Sequence, residues 1–300
     1  MDRDYRLFAT AIERGSLSAA GRDLGLTPAA ASKRLAAMET RLGARLIHRT
    51  TRRLTPTEAG RGFYEAVRAI LAAAAVAEAE LAGRAATPSG PLRISAPTSF
   101  GRLHVAPTLP AFLDAFPAVQ VELRLDDGFT DLLADRIDVA IRIAPAPETP
   151  RLAARLLAPN RRVLCAAPAY LARCGTPATL RDLADHRLLA GSTQTPWRLE
   201  RRGVRKSVAV ASQVATNSSE VVRALALAGV GIALRSTWDV GAELAAGALV
   251  RILPDWQGAT DVGIYAVHAR DPLPAAVTAF VGHLADRFAP RPPWDLTPPA

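Results

Sequence analysis

The stretch LSAAGRDLGLTPAAASKRLAAMETRLG, residues 17–43, leaves the chain few conformational choices. Its alanines and leucines recur at helical spacing, but Gly25 and Pro28 interrupt them, which excludes one continuous helix. Ser16 and Ser18 are N-cap candidates for a helix over about 18–24, with Ala19, Ala20 and Leu24 facing a core and Gly25 closing it. Thr27 then caps a second helix with Pro28 in its first position, where a missing N–H loses nothing. That helix runs to about Leu42 and stops at Gly43. Ahead of both, Leu7, Phe8 and Ile12 share one face of a first helix. Helix, glycine corner, helix is the helix-turn-helix arrangement, and Ala19, Ala20, Ala30 and Ala31 allow close packing. The second helix sets Ser32, Lys33 and Arg34 among methyl groups. Such a helix suits a major groove, with cations for phosphate and methyls for thymine. A solvated basic face would read the same from this stretch alone.

The next residues favour the nucleic-acid reading. ARLIHRTTRRLTPTEAG alternates apolar and polar residues around a Thr-Thr turn, as a short β-hairpin does. Arg49, Arg52 and Arg53 at that hairpin suit phosphates or a narrow minor groove. Residues 1–61 hold twelve Lys/Arg against six Asp/Glu, so a fifth of the chain carries +6 of its net +9. A basic end block implies a polyanionic partner. After Pro56, Thr57-Glu58 opens a long helix to about Gly83, with Phe63, Val67, Ile70, Ala74 and Leu81 as its apolar stripe. A helix of that length has no core of its own, and a dimeric coiled coil is its natural setting.

ATPSGP, residues 86–91, is a linker by composition. Beyond it LRISA, VQVELRL, IDVAIRI, RVLCAA, SVAVAS, VGIAL and VGIYAVH read as strands, separated by helical patterns such as LPAFLDAF and SEVVRALALAG. This alternation predicts an α/β domain with a largely parallel sheet. The end, PRPPWDLTPPA, reads as a frayed proline-rich tail. The opening MDRDYRLFATAIERG is neither a signal peptide nor a membrane span. Cys165 and Cys174 lack redox or zinc spacing and read as plain thiols, and the five histidines have no ligand spacing. No metal or cofactor is expected. No nucleophile elbow, zinc-protease, phosphate-loop or dinucleotide motif is present, which argues against an enzyme. Asp126-Asp127 before Gly128 reads as a turn.

These residues together resemble the LysR-type transcriptional regulators over about 3–288. The resemblance rests on GSLSAAGRDLGLTPAAASKRLAAMETRLGARLIHRTTRRLTPTEAG, PLRISAP, APTLPAFLDAFPAVQVEL, DVAIRI, ALAGVGIAL and GALVRIL, in that order. It implies an α+β multidomain chain. A winged helix-turn-helix would occupy 1–60 and a dimerising linker helix with its hinge 56–90. A periplasmic-binding-protein-like (type 2) α/β effector domain would occupy 91–290, with lobe I at 91–164 and 268–290 and lobe II at 165–267. The tail is 291–300. It further implies a cytoplasmic regulator, homodimeric or homotetrameric, acting on double-stranded promoter DNA and RNA polymerase without a membrane partner, and governed by a small-molecule effector. Carried onto this chain, the DNA-contacting residues would be Ser18, Thr27, Pro28, Ser32, Lys33, Arg34, Arg49, Arg52 and Arg53. Relatives often carry glutamine where Pro28 stands, so the base preference there should differ. For the effector, Thr98, Ser99 and Phe100 follow the first strand, and Asn217, Ser218 and Ser219 head a helix in the second lobe. With Arg142 they suit a small anionic metabolite at helix N-termini. A transport solute-binding protein shares the α/β half but gives the basic block no purpose. An architectural DNA binder leaves that half unexplained.

Overall fold

The computed structural model describes residues 2–49, 54–81, 87–128, 132, 135–146, 151–192, 194–270 and 273–295. It divides into a unit reaching Thr87 and a unit starting at Pro88.

The first unit contains α1 (Asp2–Arg14), α2 (Leu17–Asp23), α3 (Pro28–Leu42), the hairpin β1 (Ile47–Arg49) and β2 (Leu54–Pro56), and α4 (Glu58–Leu81). Ser16 caps α2, its Oγ accepting from the Ala19 amide at 3.3 Å; Ser18 lies inside the helix and caps nothing. Leu24 is 37% exposed rather than core, because α2 ends at Asp23 and Leu26 instead folds back onto Leu7, Ala11, Ala20 and Ala31. Thr27 Oγ1 accepts from the Ala30 amide at 3.2 Å, and Gly43 ends α3 at a φ of 65°, which favours glycine. Phe8, Leu35, Met38, Leu46 and Ile47 form a core that also takes Tyr64 and Val67 of α4. The start of α4 is thus held on its own unit. Its inward face runs through Phe63, Tyr64, Val67 and Leu71, while Ile70 is 51% exposed, so the expected stripe is rotated. Thr57 caps α4 through the Gly60 amide and donates to Arg45 O at 2.7 Å. A Cβ on Gly60 would lie 1.9 Å from Leu46 O, so only glycine lets helix and hairpin approach this closely.

The second unit holds two sheets. Its elements begin with β3 (Gly90–Ala96), α5 (Thr98–Phe100), α6 (Leu109–Ala115), β4 (Val119–Leu125), β5 (Val139–Ala144) and β6 (Leu152–Pro159). They continue with β7 (Arg162–Ala166), α7 (Pro168–Cys174), β8 (Leu188–Leu189), β9 (Trp197–Arg201), β10 (Val204–Val208), α8 (Ser219–Leu227) and β11 (Ile232–Ser236). Last come α9 (Thr237–Ala245), β12 (Val250–Arg251), β13 (Gln257–Gly258), β14 (Gly263–Ala269) and α10 (Ala275–Phe288). One sheet has the order β4-β3-β5-β14-β6; the other runs β10-β9-β13-β7-β11-β8, with β12 beside β7. The sheets are mixed, which corrects the largely parallel expectation. Among the described residues only β3–β4, β3–β5 and β8–β11 pair in parallel, while β14 returns antiparallel between β5 and β6. The expected lobe boundaries, 164/165 and 267/268, cut through β7 and β14. Hydrogen bonding puts all of β7 in the second sheet and all of β14 in the first, so the crossings fall near 160–161 and 259–262.

The strand expected at SVAVAS forms three residues earlier, as β10, where the hairpin turn at Arg202 and Gly203 sets its register with β9. The tail also departs from expectation. Trp294 packs 4.4 Å from the His104 ring and 5.1 Å from Phe288, and Pro292 is buried, so the tail is docked through residue 295.

Candidate functional site

In the first unit, α3 has two faces. Ala31, Leu35 and Met38 are buried, whereas Thr27, Pro28, Ala29, Lys33, Ala36 and Ala37 are exposed. Lys33 makes no ion pair among the described residues, so its charge is available to a polyanion. Ser18 is exposed on α2. Ser32 is half-buried and is not free of a partner. Arg34 departs from the sequence reading: its Nη1 lies 2.7 Å from Asp4 Oδ1, tying α3 to α1. The remaining guanidinium donors can still serve DNA. Glu39, which sequence reasoning missed, accepts from the Leu46 and Ile47 amides at 2.8 and 3.2 Å and fixes the hairpin relative to α3. The hairpin pairs Ile47 with Pro56, His48 with Thr55 and Arg49 with Leu54. Arg49 therefore ends β1, while Arg52 and Arg53 lie outside the described residues.

In the second unit, the heads of α5 and α8 meet. The Thr98 amide donates to Asp127 Oδ1 at 2.7 Å, and the Ser219 amide approaches Asp127 Oδ2 at 3.4 Å. Thr98 belongs to the first sheet's lobe and Ser219 to the second's, so one carboxylate bridges the cleft. The backbone donors expected for a ligand are thus taken by the chain's own Asp127. The turn reading of Asp126-Asp127 holds only for Asp126, whose Oδ1 accepts from the Gly128 amide at 2.7 Å. A second bridge joins Arg102 to Glu220 at 2.9 Å.

Arg142 is half-buried, donating to Ser95 Oγ at 3.3 Å and to Ile141 O at 2.9 Å. Burial lowers its pKa and the nearby Asp126 opposes that. Ser99 is buried, with no partner for its Oγ among the described residues. Phe100 is not a cleft residue: it is fully buried, with its ring 5.2 Å from Trp238 and 5.7 Å from Trp294. Asn217 is exposed. Ser218 precedes α8, but its side chain caps nothing, and its amide donates to Thr216 Oγ1 at 3.0 Å. The Ser219 hydroxyl is committed, accepting from Arg235 Nη2 at 2.7 Å.

Behind Ser219 lies a buried ion pair, Arg235 with Asp239. Burial raises the Asp239 pKa and Arg235 counters it. Nearby Arg162 is lowered to about 10, by burial first and by Arg235 second. A buried charge needs a partner to be tolerated, and with Asp239 as that partner Arg235 is held where its Nη2 reaches the Ser219 hydroxyl. Sequence reasoning missed Asp127, Ser95, Arg235 and Asp239. The i,i+4 spacing of Arg235 and Asp239 was the one local signal available. Among the described residues there is no metal-ligating cluster and no helix long and apolar enough to cross a membrane.

Two family models match the chain. Residues 3–61 match the bacterial regulatory helix-turn-helix protein model of the lysR family, and residues 85–289 match the LysR substrate binding domain. The chain is 38% identical over 257 residues to the HTH-type transcriptional regulator DmlR of Escherichia coli strain K12, covering 84% of this chain and 83% of that protein. It is 37% identical over 275 residues to the HTH-type transcriptional activator TtdR of Escherichia coli strain UTI89, covering 90% and 87%. Among solved structures, full-length AphB, the Vibrio cholerae virulence activator, superposes with a TM-score of 0.61 at 29% identity, over 94% of this chain and 98% of that one. CrgA from Neisseria meningitidis gives 0.61 at 28%, over 95% and 98%.

Proposed function

Because this chain belongs to the lysR family of bacterial helix-turn-helix regulatory proteins, we propose that the exposed face of α3 reads promoter DNA and that a small anion in the cleft controls that binding. The chain is a DNA-binding transcriptional regulator with an effector-binding domain, and it is not an enzyme. The division of α3 into a buried alanine–leucine–methionine face and an exposed face bearing Lys33 carries the assignment. Lys33 supplies the cation for phosphate or guanine. Pro28 and Ala29 offer apolar contact only, so adenine is not read by a bidentate pair there. Ser18, Thr27, Ser32, Arg34, Arg49, Arg52 and Arg53 complete the proposed set of DNA contacts. Dimerisation through α4 would cover the exposed Ile70. A tetramer, contact with RNA polymerase and action in the cytoplasm complete the reading. A genomic fragment selection at about 0.15 M salt tests it: sharp dyad peaks that Lys33→Ala weakens support it, and only diffuse, salt-sensitive retention refutes it.

Asp127 supports a carboxylate as the effector's recognised group, since a carboxylate already satisfies the Thr98 and Ser219 amides. A ligand carboxylate would exchange with Asp127, with Arg142 and Ser99 as further polar contacts. Because the two amides belong to different lobes, the exchange changes how the lobes are held together. Effector and DNA affinities then shift by the same factor. Calorimetry of the full chain with small carboxylates and their neutral amides tests this. Asp127→Ala should tighten carboxylate binding and leave the amides unaffected. A preference for neutral or cationic compounds would sink the idea.

A further inference from the structure

The second sheet's lobe holds a cavity of about 970 Å³ that is separate from the cleft. That volume suits a small-molecule site. Its walls are the 176–184 segment, the β9–β10 hairpin and the loop after β12. Neither Thr98, Asp127, Arg142 nor Ser219 lines it. The floor is apolar, with buried Ile252, Leu253 and Trp256. The rim carries Arg181, Arg201, Lys206 and Arg251 against a single carboxylate, Asp255, which leaves three positive charges around one opening.

These cations are not neutralised from within. Arg181, Arg201 and Lys206 are exposed and form no ion pair among the described residues. Asp182, adjacent to Arg181 in sequence, is turned into its own loop, where it accepts from the Ala178 and Thr179 amides at 2.9 Å and from Thr179 Oγ1 at 2.8 Å. Glu200, on the β9 strand, is taken by Arg205 at 3.5 Å and by the Thr260 hydroxyl at 3.1 Å. The Arg201 guanidinium lies over the Trp256 ring, 4.8 Å from its centroid, which places a cation directly on the floor. Arg251 donates from Nη2 to Pro254 O at 2.6 Å, but its Nε is buried without an acceptor among the described residues. Like charges facing one another over an apolar surface repel, and an anion entering between them removes that repulsion. An unsatisfied buried donor adds to the demand for an acceptor.

We infer that this cavity is a second ligand site, for an amphipathic organic anion. An apolar ring or chain would lie on Trp256 and Leu253, and a carboxylate, sulfonate or phosphate head would sit among Arg181, Arg201 and Lys206. The site is independent of the cleft, and its occupancy does not rest on what binds there.

Fluorescence titration of the full chain with 1-anilinonaphthalene-8-sulfonate tests the assignment, with N-phenyl-1-naphthylamine as the uncharged analogue. The sulfonate should bind more tightly than the amine. The double variant Arg181→Gln/Lys206→Gln should weaken the sulfonate about five- to tenfold, since each half-solvated charge contact is worth a few-fold. The amine should not respond. The charge-preserving pair Arg181→Lys/Lys206→Arg should restore sulfonate affinity, which separates lost charge from lost folding. Unchanged sulfonate affinity in the neutral double variant would overturn the proposal, as would equal binding of the amine, which would mean an apolar patch only.

Discussion

The Asp4–Arg34 pair gives two roles for one guanidinium, and their sizes differ enough to separate them. The pair joins α1 to α3 at 2.7 Å, with the Arg34 and Asp4 side chains 39% and 31% exposed. At that exposure solvent screens the attraction, and its worth to the fold is about 0.5 kcal/mol. A DNA contact through the same group is worth about 1–3 kcal/mol, or about five- to 150-fold in affinity. If Arg34 reads DNA, Arg34→Ala loses that factor, and the Asp4→Ala/Arg34→Ala double variant loses no more. Asp4→Ala alone should leave binding unchanged or tighten it, because it frees the guanidinium and removes a negative charge beside the DNA-facing helix. If Arg34 is only a tie, all three variants should weaken binding by the same factor of about two. Fluorescence anisotropy on a labelled duplex carrying the selected site, at about 0.15 M salt, reads these differences. An Arg34→Ala affinity within about twofold of the parent would refute the contact and leave the cation role to Lys33.

Three further outcomes follow from the geometry. His104, with Nε2 at 2.8 Å from Trp238 O, is lowered below 6.5 by burial, so the unfolded chain binds the proton more readily. The corresponding stability is full above pH 6.5 and lost as pH falls through the folded value, and thermal melting should show a drop below pH 6.5 that His104→Gln lacks. Gly60→Ala places a Cβ 1.9 Å from Leu46 O and should destabilise the first unit by about 1–3 kcal/mol, with DNA binding lost before any change in the second unit's melting. Cys165 is buried with its thiol pushed up to about 12, while Cys174 is exposed, so a thiol reagent should titrate one group in the native chain and two in denaturant.

The sequence was most informative where the determining contacts are local. Thr27, Pro28 and Gly43 mark the ends of α3 because capping and backbone preference act within a few residues. The helix-turn-helix and the strand-rich second unit follow from such signals, as does the position of most helices. β6 escaped notice because RLAARLLA is built from strong helix formers, and its pairing with β14, more than a hundred residues away, overrides that preference. The docking of Trp294 on His104 depends likewise on a partner remote in the chain.

The candidate sites divide in the same way. The sequence by itself determined that a small-residue helix would bury Leu35 and leave Lys33 on its outer face, since periodicity sorts the two. It determined that the heads of α5 and α8 would be polar. Only the tertiary structure decided that Asp127 fills the space between them, that Arg34 is tied to Asp4, that Phe100 is core, and that Arg181, Arg201 and Lys206 stand around one apolar floor without an ion pair among the described residues. Charge pairing and burial depend on distances between residues remote in sequence, and those distances exist only once the sheets have formed.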